Sequence, residues 1–328
     1  MKNTFYWLEE FFSYFSGIKA RAPGTIQEYR YDLEMFFRFL KKHRNLVAED
    51  SSFEEISITD IDEEFLRSIK LSEMYRFVAW LGNERDNGPA ARSRRISAIR
   101  SFYNFLSSKA KIIDYNPAAE LESPKQQKKL PRYLTIDESI SVLAEAANSD
   151  DQFSSRDYCI LTLFLNCGMR LSELCSINLG DIAEETLTVM GKGGKERTIY
   201  LNSISLQAID AYLPERIEPR LEEKGDPLFV SRNRRRISQR AVQNIVKKYI
   251  SKAGLDPKKY SAHKLRHTAA TLMYQYGQVD LRSLQQILGH TSVSTTEIYT
   301  HINDEMLHQA VENNPLNLYR KSDFTDNK

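Results

Sequence analysis

Apolar residues recur at helical spacing through the first hundred positions. Phe5, Leu8, Phe11, Phe12 and Phe15 fall on one side of a first helix. Pro23 and Thr25 open a second, with Ile26, Tyr29, Leu33, Phe36, Phe37 and Leu40 on its apolar face. A short helix capped by Thr59 carries Phe65, Leu66 and Ile69, and another begins at Ser72 with Tyr75, Phe77, Val78 and Leu81. Pro89 starts the last helix of the region, with a stripe of Ile96, Ile99, Phe102, Tyr103 and Leu106. Such faces bury one another, which predicts a compact helical domain over 1–109.

The periodicity breaks over 110–132. This stretch holds Pro117, Pro124 and Pro131 and the run KQQKK, and it reads as an exposed basic linker. A second domain is expected over 133–311, with a tail at 312–328. It opens with a helix over Thr135–Ala147, where Thr135 and Glu138 have capping-box spacing. A further apolar helix, Asp157–Asn166, stops at Gly168. Strand character is confined to 186–201, where TLTVM and ERTIYL flank GKGG as in a β-hairpin. Helices return over Ile237–Gly254, Ala262–Tyr276 and Leu281–Leu288, with another candidate at Glu305–Val311. The expected fold class is mainly α. A helical-bundle N-terminal domain precedes a mixed, mostly helical domain with a small antiparallel β-hairpin.

Composition narrows the function classes. The chain has 328 residues, 41% of them hydrophobic, enough for packed cores. No apolar run approaches the roughly 18 to 20 residues of a membrane span, and the N-terminus lacks a secretory pattern. Cys159, Cys167 and Cys175 form no CxxC pair and sit among apolar neighbours. They read as reduced core residues of a cytoplasmic protein. The net charge is only +2 but unevenly spread: 186–266 carries +10 and the remainder −8. A local excess of this kind suits a polyanionic partner. Arg92, Arg95 and Arg100, on or near the face of their helix opposite its apolar stripe, and Arg94 beside them add a second basic group. Lys195, Arg234, Arg235, Arg236 and Arg240 are further candidates for phosphate contact.

Four segments of the second domain carry polar residues that a plain helical core does not need. In GMRLSEL (168–174), Gly168 stops one helix and Arg170 enters the next, with Glu173 three residues on. Arginine's planar fork grips two phosphate oxygens, and a nearby carboxylate braces it. In GKGGK (191–195), glycines permit close approach of a backbone, and Lys192 is a candidate proton donor to a departing alkoxide. The order is not that of a nucleotide-binding P-loop. In SAHKLRH (261–267), His263 and Arg266 share a helix face, pairing a proton carrier with a second phosphate fork. His263 and His267 also have zinc-helix spacing, but no glutamate lies between them and no third ligand follows, so no metal is expected. LGHTSVSTTEIYTH (288–301) supplies His290 and Tyr299. Tyr299 is one tyrosine of 17 and gains weight only from this company. Two arginines, a lysine and histidines without an acidic pair suit phosphoryl transfer by positioned charge.

These motifs, in this order and at this spacing, closely resemble those of the tyrosine recombinases, specifically the bacterial Xer type. The resemblance spans nearly the whole chain. It implies that Tyr299 attacks the scissile DNA phosphate, leaving a 3′-phosphotyrosyl bond and a free 5′-hydroxyl. Arg170 and Arg266 would neutralise the developing charge, Lys192 would protonate the departing 5′-oxygen, His263 would manage the tyrosine proton, and His290 would hydrogen-bond the phosphate. Glu173 would support them. The resemblance further implies a core-DNA-binding N-terminal domain and a catalytic C-terminal one, acting on duplex sites with inverted arms. A homo- or hetero-tetramer would pass through a Holliday junction, with a paralogous recombinase or a DNA translocase as possible partners, without cofactor, metal or membrane. The expected location is the cytoplasm, at the nucleoid. Two other readings remain open: a DNA-binding regulator without activity, and a nicking-closing enzyme resembling type IB topoisomerases.

Overall fold

In the computed structural model, residues 4–125, 132–191, 196–277 and 279–289 are described. The chain divides into two compact units, Met1–Lys128 and Lys129–Lys328.

The first unit is helical among its described residues: α1 (Tyr6–Gly17), α2 (Pro23–His43), α3 (Glu63–Ser68), α4 (Leu71–Asn83) and α5 (Pro89–Phe105). All five apolar positions read for the first helix are buried. Phe5 and Phe11 of the first segment meet Phe37 and Phe102 edge-on at centroid separations of 4.9–6.2 Å. Each buried phenylalanine removes enough apolar surface from water to stabilise the unit by about 1.5–3 kcal/mol. Three local expectations are corrected. Asp62, not Thr59, caps α3, because its carboxylate accepts from the Phe65 N–H at 2.8 Å while the Thr59 hydroxyl pairs with Ser57. Tyr75 points away from the α4 stripe and is exposed. The segment after α5 is not uniformly exposed: Ile113, Ala118 and Leu121 are buried in the core of this unit.

The second unit contains α6 (Ile136–Ala147), α7 (Ser154–Cys167), α8 (Leu171–Ser176), β1 (Ile182–Ala183), β2 (Thr186–Met190), β3 (Glu196–Tyr200), α9 (Ser203–Tyr212), α10 (Gln239–Lys252), α11 (Ala262–Tyr276) and α12 (Leu281–Leu288). Helix α7 packs against α6, α9 and α11 and is apolar on most of its circumference, as a central helix must be. The capping box at α6 forms as read, with Glu138 N–H to Thr135 Oγ1 at 3.1 Å and Thr135 N–H to Glu138 Oε2 at 2.9 Å. The sheet is antiparallel in the order β1-β2-β3, so the hairpin gains a short third strand that alternation did not reveal. Helix α9 was also not anticipated. Its buried face is only Ser205, Ala208, Ile209 and Tyr212, and the Asn202 side chain starts it by accepting from the Ser205 N–H. All three cysteines are free and buried; burial raises their thiols, those of Cys167 and Cys175 to about 11. No described helix is long and apolar enough to cross a membrane.

Candidate active site

Helix α7 ends where Gly168 turns left-handed at φ +59°. A Cβ there would lie 3.0 Å from Leu288 Cδ2, so glycine satisfies both the backbone and the close packing of α12. The chain then enters α8 through Arg170. The Glu173 carboxylate folds back to accept from the Arg170 backbone N–H at 2.7 Å and from Arg170 Nη1 at 2.6 Å. This part of the site is local helix-start geometry, and it forms as the spacing predicts.

Two distant arginines complete it. Arg197 on β3 grips the same carboxylate with two nitrogens along one edge of its fork, Nη2 to Oε2 at 2.8 Å and Nε to Oε1 at 3.3 Å. Arg266 on α11 is buried and brings Nη1 to 3.9 Å from Glu173 Oε2. Glu173 is 1% exposed. Burial would raise its carboxyl, but hydrogen bonds and charge from Arg197 and Arg170 outweigh that and hold it below the ordinary range.

The C-terminal end of α12 supplies a second counter-charge. Three successive carbonyls there accept from three different guanidiniums: Ile287 from Arg197, Leu288 from Arg266 at 2.6 Å, and Gly289 from Arg170. These are the carbonyls a helix leaves without internal partners, at the negative end of its dipole. Arg266 also donates to Gly168 O at 2.9 Å. Gly289 is left-handed at φ +62°, and a Cβ on it would sit 2.7 Å from Arg197 Cδ. The cluster therefore ties the α7–α8 turn, β3, α11 and the end of α12 into one cationic centre.

His263 lies one turn before His267 on α11, with their Nε2 atoms 3.0 Å apart. Such a contact requires one ring to donate and the other to accept, so at least one is neutral. Burial, then the charges of Arg266 and Lys264, lower the His263 pKa. A neutral imidazole has a ring nitrogen able to accept a proton, while burial and the cations beside it oppose holding one. Lys192, Lys195, His290 and Tyr299 lie outside the described residues, as does the candidate helix at 305–311. Hairpin pairing is described as far as Met190 opposite Glu196, on either side of the segment that holds Lys192.

Arg197 was missed in the sequence. The signal was present: strand alternation puts it on the face of Ile199, which is buried, and a charge on a buried face requires a partner. The other candidate arginines divide between partnered and exposed positions. On α5 none of the four stands free in solvent. Arg95 is buried and donates to Asn87 Oδ1 at 2.9 Å. Arg94 pairs with Glu28 and with Asp32 at 2.9 Å, Arg100 donates to Leu121 O, and the Arg92 guanidinium packs over Gly82. Asp32 is fully buried beside Arg94 and Arg95, and burial pushes its pKa up to about 6 against their charge. In the second unit Arg236 closes the end of α8, donating to Ser176 O at 2.9 Å, Ile177 O at 3.2 Å and Asn178 Oδ1 at 2.6 Å. Arg95, buried, and Arg236, half-buried, thus each bond within the fold, because a guanidinium withdrawn from water must be paired. Arg234, Arg235 and Arg240 are exposed.

Comparison with known proteins gives a consistent picture. The profile of the phage integrase family matches residues 132–306, and that of the phage integrase N-terminal SAM-like domain matches 8–110. A tyrosine recombinase XerC from Caldanaerobacter subterraneus subsp. tengcongensis is 54% identical over 94% of this chain and 86% of its own. The XerC of Thermodesulfovibrio yellowstonii is 35% identical over 92% of this chain and 93% of its own. Among solved structures, XerH recombinase on a palindromic difH substrate, a post-cleavage complex, superposes with TM-score 0.68 at 24% identity, covering 88% of this chain and 79% of that one. A lambda integrase tetramer on a Holliday junction gives TM-score 0.63 at 18% identity, covering 88% and 77%. At these identities the two structures speak to the fold.

Proposed function

The chain belongs to the phage integrase family, as a Xer-type tyrosine recombinase that breaks and rejoins DNA at specific sites, and from that premise we infer how its residues divide the work. The observation that carries the assignment is the cationic centre around Glu173, where Arg170 and Arg266 are held at fixed positions by a carboxylate and a helix end. Charge preorganised in this way stabilises a phosphorane-like transition state without reorganisation during the reaction. Arg170 and Arg266 grip the non-bridging oxygens of the scissile phosphate. Tyr299 attacks the phosphorus through its phenolic oxygen, and His263, whose pKa is lowered, takes up the phenol proton. The 5′-oxygen departs with a proton from Lys192, and His290 hydrogen-bonds the phosphate. Attack by the 5′-hydroxyl of a partner strand then releases the tyrosine and reseals the backbone. The bond energy is retained in the phosphotyrosine, so no ATP enters the scheme.

The N-terminal helical domain (1–109) serves as the core-DNA-binding part, the region 133–311 as the catalytic part, and 110–132 joins them. Arg94 and the exposed Arg234, Arg235 and Arg240, with Lys195, are the cations offered to the DNA backbone. Assembly on two duplex sites as a tetramer is supported by the lambda integrase tetramer seen on a Holliday junction. The paralogous partner and the translocase belong to this proposal as well, as does a cytoplasmic, nucleoid-associated location.

The test is a nicked duplex carrying the target site, in which the short cleaved fragment diffuses away and religation fails. Incubation should trap a protein–DNA adduct that survives denaturant, joined at the 3′-phosphate with a free 5′-hydroxyl. An adduct at the 5′-phosphate, or none on a bound target, would overturn the reading. The general-acid role has its own test. Lys192→Ala should slow cleavage by about 10²- to 10⁴-fold, and a 5′-bridging sulfur should restore most of the rate, since a thiolate leaves without a proton. Failure of that rescue would remove Lys192 from the role.

A further inference from the structure

We propose that Arg197 is a positioning residue for DNA cleavage: by taking the fork-shaped contact with Glu173, it leaves one edge of Arg170 turned outward for the scissile phosphate. This rests on the phosphate-gripping role of Arg170 given above.

The division of hydrogen bonds carries it. Glu173 Oε1 accepts from Arg170 Nη1 at 2.6 Å and Arg197 Nε at 3.3 Å, while Oε2 accepts from the Arg170 backbone N–H at 2.7 Å and Arg197 Nη2 at 2.8 Å. Arg197 thus makes the two-point contact, and the Arg170 side chain touches the carboxylate through a single nitrogen. Exposure follows the same division. The Arg170 side chain is 29% exposed, against 12% for Arg197 and 5% for Arg266. Of the three side chains, Arg170 is the most exposed, although its Nη1 bonds Glu173 and its Nη2 bonds Gly289 O.

A two-point carboxylate contact is the favoured geometry for an arginine. Without Arg197, the buried Glu173 would lose its bidentate partner, and Arg170 is placed three residues away on the same turn to replace it. Rotation of the Arg170 fork onto Glu173 would satisfy the carboxylate and withdraw the phosphate-facing edge. Arg197 also bonds Ile287 O, the first of the three α12 carbonyls, and its Cδ crowds the position where Gly289 would carry a Cβ. It therefore sets the distance between β3 and the helix end that holds the other two arginines. Its strand position, paired with Val189 and on the inward face, fixes the guanidinium there.

The experiment measures single-turnover cleavage of the nicked duplex by Arg197→Lys, Arg197→Ala, Arg170→Ala and the double variant Arg170→Ala/Arg197→Ala. Melting curves check that each is folded. Arg197→Lys keeps the charge and loses the fork, so it remains decisive if Arg197→Ala does not fold. Misplacement of the reacting groups should slow cleavage by roughly 10- to 100-fold, with duplex affinity changed less than about threefold. In the Arg170→Ala background, loss of Arg197 should cost less than about threefold more, because the residues act through one another. A duplex with a neutral methylphosphonate at the scissile position should shrink the deficits of the Arg170 and Arg197 variants alike; a purely structural defect would be the same on both duplexes. Wild-type rates in Arg197→Lys, full additivity in the double variant, or a deficit unchanged on the methylphosphonate would each overturn the proposal. If Arg170→Ala itself cleaves normally, the phosphate role of Arg170 fails first. If it is defective while the Arg197 variants are not, only the positioning role fails.

Discussion

Tyr299→Phe should bind the target duplex and form no covalent adduct on the nicked substrate. The substitution removes one oxygen and keeps the ring, so packing and DNA affinity should be close to wild type. Cleavage should fall by on the order of 10⁴-fold or more, because removal of a nucleophile leaves only binding and charge stabilisation. The chain has 16 other tyrosines beside this one of 17, which makes peptide mapping of the wild-type adduct a necessary companion measurement. Attachment at Tyr299 in wild type and its disappearance in the phenylalanine variant together establish the nucleophile. A denaturant-stable adduct persisting in Tyr299→Phe would sink the assignment, wherever it mapped.

Glu173→Ala should be the most damaging change within the described part of the site. The carboxylate is 1% exposed and faces Arg170, Arg197 and Arg266. Its removal leaves three guanidiniums close together without the carboxylate they share. Breaking a buried ion pair from one side typically costs about 3–5 kcal/mol, and the partial exposure of Arg170 argues for the lower end. For a unit of this size that is a fall in melting temperature of about 6–12 °C. Glu173→Gln keeps the shape and some hydrogen bonds, so it should lose less stability while still loosening the arginines. The pH dependence separates charge from shape. The folded-state pKa of Glu173 is depressed, so its ionic contribution is fully present above the ordinary carboxylate pKa and disappears as pH falls through the lowered folded value. Melting temperatures of wild type and Glu173→Gln should therefore converge below the usual glutamate range. A gap unchanged on acidification, or an alanine variant within about 0.5 kcal/mol of wild type, would contradict this account.

The legible and illegible parts of the site differ in sequence distance. Arg170 and Glu173 are three residues apart at a helix start, and that spacing alone placed them in contact. Gly168 and Gly289 were legible as helix stops for a similar reason, since a left-handed residue after an apolar helical run has a recognisable pattern. What made those glycines obligatory was not visible: Leu288 presses on one and Arg197 on the other. The partners of the α5 arginines were not legible because helical spacing gives a direction and not a partner. Asp32 and Glu28 on α2 arrive at that face only through packing. Helix α9 escaped notice because small and polar residues make up much of its buried side.

By itself the sequence determined the main helices of both units apart from α9, the hairpin, the helix stops, the Arg170–Glu173 contact and, through its ordered motifs, the family. The local elements depend on residues a few positions apart, where backbone geometry dictates who meets whom, and the family on motifs ordered along the chain. The tertiary structure alone decided that Arg197 joins the centre from β3, that three carbonyls at the end of α12 each receive one guanidinium, and that Arg95 and Arg236 are turned inward. Those outcomes follow from a single physical constraint. A charge withdrawn from water must find a hydrogen-bond partner or a counter-charge, and between Glu173 and Arg197, 24 residues apart, or Arg170 and Gly289, 119 apart, only the fold specifies which one it finds.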